Sequence, residues 1–214
     1  MAYSILPTDF PAKAYDAVST IVQARRSGEP TYTDCFDAWR AVAYRFWALA
    51  EYDASFTKSI SIFGAACNET ERFSQERDLF GFFSSAMSVF EAYSLAMYIA
   101  GSWLAPAVFN AKIKNITIEE TLKAYNTIFH ADAISQALDA TVHDQVFEEF
   151  KRLRIVLFHR AVRARSINIG GPPDSMQKEN IDLNETTTPV RRQHVALLLT
   201  SLTNAAHTFV DNNL

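Results

Sequence analysis

The amino-acid sequence predicts an all-α fold, a single-domain helical bundle of about six or seven helices. The chain of 214 residues contains only six glycines and seven prolines, too few for the frequent turns of a β-sandwich or barrel. Apolar residues recur at helical spacing along most of the chain. Helix-capping residues precede several of these apolar segments. Because 49% of the residues are hydrophobic, one sizeable core is expected.

The same patterns predict one domain that spans residues 1–214. Its core bundle is expected to cover about residues 68–212, with the N-terminal helices in 8–58 packed on it. No internal repeat and no domain-scale linker interrupts the helical pattern.

The first predicted helix covers residues 8–26. Pro11 is tolerated in its first turn, and the Ser-Gly-Glu-Pro segment 27–30 ends it. A second helix is expected to start near residues 31–33, where threonines precede its apolar face, and to fray at residues 53–59.

The third and longest predicted helix begins at Asn68 and ends near residues 101–106. Asn68 and Glu71 have the spacing of a capping box. Between residues 79 and 104 the only charged side chain is Glu91, and this length would cross a bilayer. Serines and two glycines interrupt the segment, and aromatic–basic anchors do not flank both ends. The central helix of a soluble bundle is therefore favoured, with no membrane partner, over a peripheral membrane protein.

The rest of the chain alternates helices with polar connections. Thr117 and Glu120 form a capping box for the fourth helix. The remaining helices are predicted at about residues 117–130, 133–141, 142 through the basic stretch defined below, and 190–211. Residues 166–189 form a polar connection whose length is typical of a functional or disordered segment.

Charge and cysteine usage restrict the classes of function. The net charge is −4, but residues 151–165, the basic stretch, contain six basic residues and no acid. The remainder of the chain therefore carries −10, so any anion site is local rather than spread over the surface. Cys35 and Cys67 lack a metal or redox spacing and are predicted to be buried free thiols. Together with the absence of a signal-peptide pattern, this favours the cytoplasm.

The sequence contains none of the usual patterns for a metal or a cofactor. Glu-x-x-His, His-Glu-x-x-His and Cys-x-x-Cys are missing, and no glycine-rich phosphate loop follows a strand. Asp139 and His143 are four residues apart, but a local hydrogen bond on the helix surface is the favoured interpretation. We therefore predict no metal site and no cofactor.

The candidate site residues lie in the basic stretch and on the third helix. On an ideal helix Arg152, His159 and Arg163 share one face, while Arg154 lies about 140° from His159 on the apolar, core side. The alternative is that these cations complement the helix macrodipole and that His159 is a surface or capping residue. Glu91, alone in an apolar helix, needs a partner. It is either a structural anchor to an arginine or tyrosine on a facing helix, or a supporting acid of an active site.

At these residues the sequence resembles the HEPN superfamily, all-α bundles whose signature is an arginine, four to six further residues and a histidine. Arg154 to His159 fits the four-residue form, and Arg152 to His159 fits the six-residue form. The segment 82–93, Phe-Phe-Ser-Ser-Ala-Met-Ser-Val-Phe-Glu-Ala-Tyr, is similar to the helix that precedes the motif in that family. The resemblance covers about residues 68–210.

The resemblance implies a metal-independent ribonuclease, of the toxin or defence type, that acts as a homodimer with both motifs at the interface. Its partners would be RNA or a nucleotide and a cognate antitoxin. His159 would be the acid/base and Arg154 the phosphate clamp. Arg152, Arg160 and Arg163 are the candidate substrate-binding residues.

One departure from the family pattern keeps a second hypothesis open. Family members have a polar residue directly after the arginine, whereas this chain has Ile155 within a wholly apolar spacer. The alternative is a catalytically inactive HEPN-like bundle that serves as a protein-interaction module or binds a nucleotide or another anion.

Overall fold

The computed structural model describes residues 6–158, 165–167, 176–178 and 181–214. Over these residues the chain is an all-α bundle of seven α-helices, so the predicted fold class is confirmed. The helices are α1 (Ala12–Arg26), α2 (Tyr32–Phe63), α3 (Glu69–Ser102), α4 (Ile118–Ile128), α5 (Ala133–Val142), α6 (Gln145–Phe158) and α7 (Pro189–Asn213). A 3-10 turn, Ile113–Asn115, precedes α4, and three short strands, β1 (Ser166–Ile167), β2 (Met176–Lys178) and β3 (Ile181–Asp182), precede α7.

A long hairpin of α2 and α3 forms the centre of the bundle. The two helices pack against each other along their length, and α3 buries residues on nearly all of its faces. Gly64, whose φ of 68° suits a residue without a Cβ, ends α2. The side chain of Asn68 accepts hydrogen bonds from the backbone N–H groups of Thr70 and Glu71, which confirms the predicted cap.

The predicted fraying of α2 at residues 53–59 is wrong. The helix is continuous there because both of its faces have partners. Phe56 is fully buried, and the buried carboxylate of Asp53 accepts a hydrogen bond of 2.8 Å from Nη1 of Arg192 on α7. Burial and a charge-assisted bond outweigh the weak local helix propensity of this polar segment.

Helix α7 packs against α1, α2, α3, α5 and α6. Leu199, Leu202 and Ala206 are fully buried on its inner side. The buried hydroxyl of Tyr93 on α3 donates a hydrogen bond of 2.8 Å to the carbonyl of Leu202, which fixes the two helices relative to each other.

The predicted polar connection 166–189 is structured where it is described. Strands β1, β2 and β3 form an antiparallel sheet in which Gln177 pairs with both Ser166 and Asp182. Ion pairs hold this sheet on α3, because Arg165 and Lys178 both bind the carboxylate of Glu76. The pattern of polar residues did not reveal these long-range pairs.

Helix α3 is long and apolar enough to cross a membrane by length and composition alone. Of its apolar window, 67% is buried inside the protein. This is the arrangement of a central helix surrounded by other helices.

Candidate functional site

Helix α6 carries the first part of the basic stretch, and its N-terminus is held firmly. The carboxylate of Asp144 accepts hydrogen bonds of 2.9 Å from the backbone N–H groups of Val146 and Phe147. Nε2 of His194 on α7 lies 3.0 Å from both oxygens of the same carboxylate. Asp144 therefore caps α6 and ties it to α7.

The inner face of α6 orients its cations by aromatic packing. Phe147, Phe150 and Leu153 are buried, and the Phe147 ring lies edge-on to Phe90 of α3 at 5.1 Å. The ring of Phe150 packs 5.6 Å from that of Phe83. Because this face of α6 is fixed on α3, the neighbouring side chains around α6 reach the edge of the contact between the two helices.

An open cleft lies along that edge, between α3, α6 and the start of α4. Its volume is about 1620 Å³, counted out to its open mouth. The charged side chains that line it are Arg45, Glu91, Lys114, Glu119, Lys151 and Arg154. With four cations and two carboxylates, the cleft carries a formal charge of +2 in a chain whose net charge is −4.

Arg154 and Glu91 meet in this cleft. Nη1 of Arg154 donates to Oε1 of Glu91, so the pair joins α6 to α3. Of the two partners considered for Glu91 on a facing helix, an arginine or a tyrosine, the structure places the arginine beside it. The predicted placement of Arg154 on the core side, however, is wrong, because its side chain is 33% exposed. The Glu91 side chain is 46% exposed. Leu153, not Arg154, occupies the core-facing position.

Lys151, one turn before Arg154, binds two carboxylates. Its Nζ lies 2.8 Å from Oε1 of Glu119 on α4 and 2.9 Å from Oε1 of Glu148. Hydrogen bonds to these carboxylates raise the pKa of Lys151. Burial raises the pKa of Glu119, but the hydrogen bond from Lys151 and hydrogen bonds within the Thr117 turn outweigh it, so the pKa lies below its usual value. Both groups are thus charged at neutral pH.

Sequence reasoning missed three of the four cations. Arg45 comes from α2, Lys114 from the 3-10 turn, and Lys151 was noted only as part of the basic stretch. Arg45 and Lys114 lie far from Arg154 along the chain, so no local spacing could join them. The signal available for Arg45 was its position between exposed aromatic residues, Tyr44 and Trp47.

The other predicted site residues are not brought to the cleft by the described structure. Arg152 is exposed and is not part of the cleft lining. His159, Arg160 and Arg163 lie outside the described residues. The arginine and the glutamate of the predicted site are therefore placed together, whereas the position of the histidine relative to them stays a prediction.

Metal ligands and reactive thiols are the other groups that the described residues could bring to the cleft. Among them, no three histidine, cysteine or acidic side chains are grouped as metal ligands. Both cysteines are free. Cys35 is buried as predicted, and burial raises its pKa to about 12, so its thiol stays protonated. Cys67 is only half-buried, against the prediction. The chemistry that remains at the cleft is that of cations, carboxylates and the hydroxyls of Ser88 and Thr117.

Comparison with protein-family models, with curated proteins and with solved structures finds no significant match for this chain.

Proposed function

We propose that this protein binds RNA phosphates in the cleft and cleaves RNA without a metal ion, with Arg154 as the phosphate clamp and His159 as the acid/base. The observation that carries the proposal is the half-exposed guanidinium of Arg154 in an open cleft that three other cations share. Clustered lysines and arginines are what a phosphodiester backbone requires of a protein surface.

The ion pair with Glu91 is compatible with this role. A carboxylate on the opposite helix holds the guanidinium in place, and both groups remain accessible to solvent. Pairs this exposed contribute about 0–1 kcal/mol to stability. A phosphate can therefore replace the carboxylate at small cost.

The proposed chemistry follows from these residue types. His159 accepts the proton of a ribose 2′-hydroxyl, the 2′-oxygen bonds to the adjacent phosphorus, and the bond from phosphorus to the 5′-oxygen breaks. Solvent supplies the proton that the 5′-oxygen takes up. Arg154 stabilises the negative charge that develops on the phosphate oxygens. The products are a 2′,3′-cyclic phosphate end and a 5′-hydroxyl end.

The resemblance to the HEPN superfamily extends the proposal beyond the single chain. It adds a homodimer with both motifs at the shared interface, a cognate antitoxin as protein partner and a cytoplasmic location. Arg152, Arg160 and Arg163 would bind flanking phosphates in this assembly.

The test is cleavage of labelled single-stranded RNA in the presence of EDTA. The wild-type protein should yield 2′,3′-cyclic phosphate ends. We expect His159→Ala to lower the rate by about 10²–10⁴-fold and Arg154→Ala by about 10²–10³-fold. Arg72→Ala, which removes an exposed arginine of α3 outside the cleft, is the matched control and should leave the rate unchanged. Equal rates for wild type and His159→Ala would refute the catalytic proposal.

A second candidate is the non-catalytic anion-binding module, and one observation favours it. Ile155, which follows Arg154 in the cleft, is 61% exposed, so an apolar side chain stands where the family pattern has a polar one. In this case the wild-type protein binds RNA without cleaving it, and Arg154→Ala still weakens the binding while Arg72→Ala does not.

A further inference from the structure

We propose that the outer face of α2 is a second part of the same binding site, one that stacks the bases of single-stranded RNA. This inference rests on the proposed RNA ligand of the cleft but not on cleavage. The face, called here the α2 aromatic face, consists of Phe36, Arg40, Tyr44, Arg45 and Trp47.

Aromatic and basic side chains alternate along this face. Tyr44 is 60% exposed and Trp47 is 37% exposed. Their ring centroids lie 6.4 Å apart at an interplanar angle of 74°. The Arg45 guanidinium is 5.6 Å from the Tyr44 ring, and that of Arg40 is 5.8 Å from the Phe36 ring. Rings held by neighbouring guanidinium groups present stacking surfaces at fixed positions.

Within the described residues, the core does not use the exposed rings of Tyr44 and Trp47. The inner face of α2 already supplies the core, with Trp39, Val42, Phe46 and Leu49 buried at 3% exposure or less. Surfaces that bind single-stranded nucleic acids combine exposed aromatic rings with arginines. The rings stack on bases, and the cations contact the phosphates.

The face is continuous with the cleft. Ala41 and Arg45 line both the cleft and a smaller groove, whose volume is about 890 Å³ with open solvent included. Arg40, Tyr44 and Trp47 also line this groove. A strand that places one phosphate at Arg154 can therefore pass Arg45 and reach Tyr44 without leaving a concave surface.

The charge of the combined surface fits a polyanion. The groove adds Arg40 and Asp37 to the cleft, so cleft and groove together hold five cations and three carboxylates. The result is +2 in a chain of −4, which leaves −6 for the rest of the protein. The net positive charge of this surface attracts a nucleic acid, whereas the rest of the chain is acidic on balance. This charge favours a polyanion as the ligand of the α2 aromatic face over an apolar protein partner.

Stacking also defines the class of RNA. Bases in a duplex are already stacked on each other, and their flat faces are closed to side chains, whereas single strands expose them. The ligand of the α2 aromatic face is therefore single-stranded RNA, held with little sequence preference because every base has a π-face.

Binding is measured by fluorescence anisotropy with a fluorescein-labelled 12-nucleotide oligouridine. The protein is the full chain with His159→Ala, so that the RNA stays intact. We expect Tyr44→Ala and Trp47→Ala each to raise the Kd by about 5- to 100-fold, the range that loss of one stacked base gives. Tyr44→Phe and Trp47→Phe should restore binding because they keep a ring. A duplex of the same length should bind more weakly than the single strand.

The control is Phe73→Ala, which removes a 74% exposed ring at the start of α3, away from the groove. It should leave the Kd unchanged. Because Tyr44, Trp47 and Phe73 are all on the surface, circular dichroism and thermal unfolding should show that each aromatic variant folds as well as its His159→Ala parent. Unchanged oligouridine binding in Tyr44→Ala and Trp47→Ala, an equal loss in Phe73→Ala, or equal affinity for the duplex would each overturn the inference.

Cleavage of a uridine dinucleotide separates this inference from the proposed function, because a dinucleotide needs only the cleft. If the wild-type protein cleaves it and the α2 variants bind the 12-mer normally, the α2 face is refuted and the ribonuclease proposal stands. If nothing is cleaved but the α2 variants lose the 12-mer, catalysis is refuted and the single-strand surface stands.

Discussion

The pair formed by Arg154 and Glu91 offers the sharpest test of the cleft. If Arg154 binds phosphate, Glu91 competes for the same guanidinium and also repels the ligand. Glu91→Gln keeps the size and most hydrogen-bonding capacity of the side chain but removes its charge. RNA should then bind more tightly. If the pair only joins α3 to α6, the same substitution should leave RNA affinity unchanged.

The exposure of the pair sets the magnitude. A phosphate at Arg154 would lie about 5 Å from the Glu91 carboxylate, where unit charges repel by about 0.8 kcal/mol in water and about 3 kcal/mol at an effective dielectric constant of about 20. Because the Glu91 side chain is 46% exposed, the value near the aqueous limit applies. We therefore expect a gain of about 1 kcal/mol, which is about a fivefold lower Kd. The cost in folding stability should stay below about 1 kcal/mol.

The assay is oligouridine binding in the His159→Ala background at about 0.05 M and about 0.5 M salt. The gain in affinity should be smaller at the higher salt concentration, because the Debye length is then shorter than the distance between the phosphate and the Glu91 carboxylate. Glu120→Gln is the matched control. It makes the same change of charge on α4, one residue beyond the cleft lining. Weaker RNA binding by Glu91→Gln, or a gain equal to that of Glu120→Gln, would refute the competition between carboxylate and phosphate.

Two further predictions concern the scaffold. A Cβ at Gly101 would lie 2.4 Å from a ring atom of Phe109, which is buried. Gly101→Ala should therefore lower the free energy of unfolding, measured by urea titration, by about 1–3 kcal/mol. An unchanged urea midpoint would contradict this packing. Burial raises the pKa of Asp144, but backbone hydrogen bonds and His194 outweigh it and hold the pKa below its usual value. The ionised carboxylate thus stabilises the fold above the unfolded pKa of about 3.9, and this effect is lost as the pH falls through the folded pKa. The free energy of unfolding should therefore fall more in the wild type than in Asp144→Asn between about pH 5 and pH 2. Parallel plots of this free energy against pH would contradict the prediction.

The helices could be predicted because their signals are local. Asn68 and Thr117 cap α3 and α4 where the sequence placed them, since a cap depends only on residues two or three positions away. The continuous middle of α2 and the small sheet before α7 could not be predicted. They depend on Arg192 reaching Asp53 and on Arg165 reaching Glu76, and these partners lie 139 and 89 residues apart.

The candidate site, like the fold, has parts that the sequence could predict and parts that depend on the tertiary structure. The chemistry of a lone carboxylate required a partner for Glu91, and the arginine that it meets is one of the two residue types considered. Helical geometry nevertheless placed Arg154 in the core, because an angle around a helix does not say where the neighbouring helix ends. Leu153 is buried, whereas the next residue, Arg154, reaches the open cleft and pairs with Glu91 of α3. The two cations at Arg45 and Lys114 join the cleft only through the tertiary fold.

This arrangement explains how an acidic protein could select a polyanion over a simple anion. Lys151 and Arg154 already bind carboxylates, so an incoming phosphate exchanges one negative partner for another and gains little from a single contact. A chain of phosphates gains more, since it can engage Arg154, Lys151 and Arg45 together without the entropy cost of binding three separate ions. If the protein binds RNA as proposed, the carboxylates would favour a strand long enough to span the cleft over a single phosphate. The bases that such a strand carries would be the groups that reach Tyr44 and Trp47.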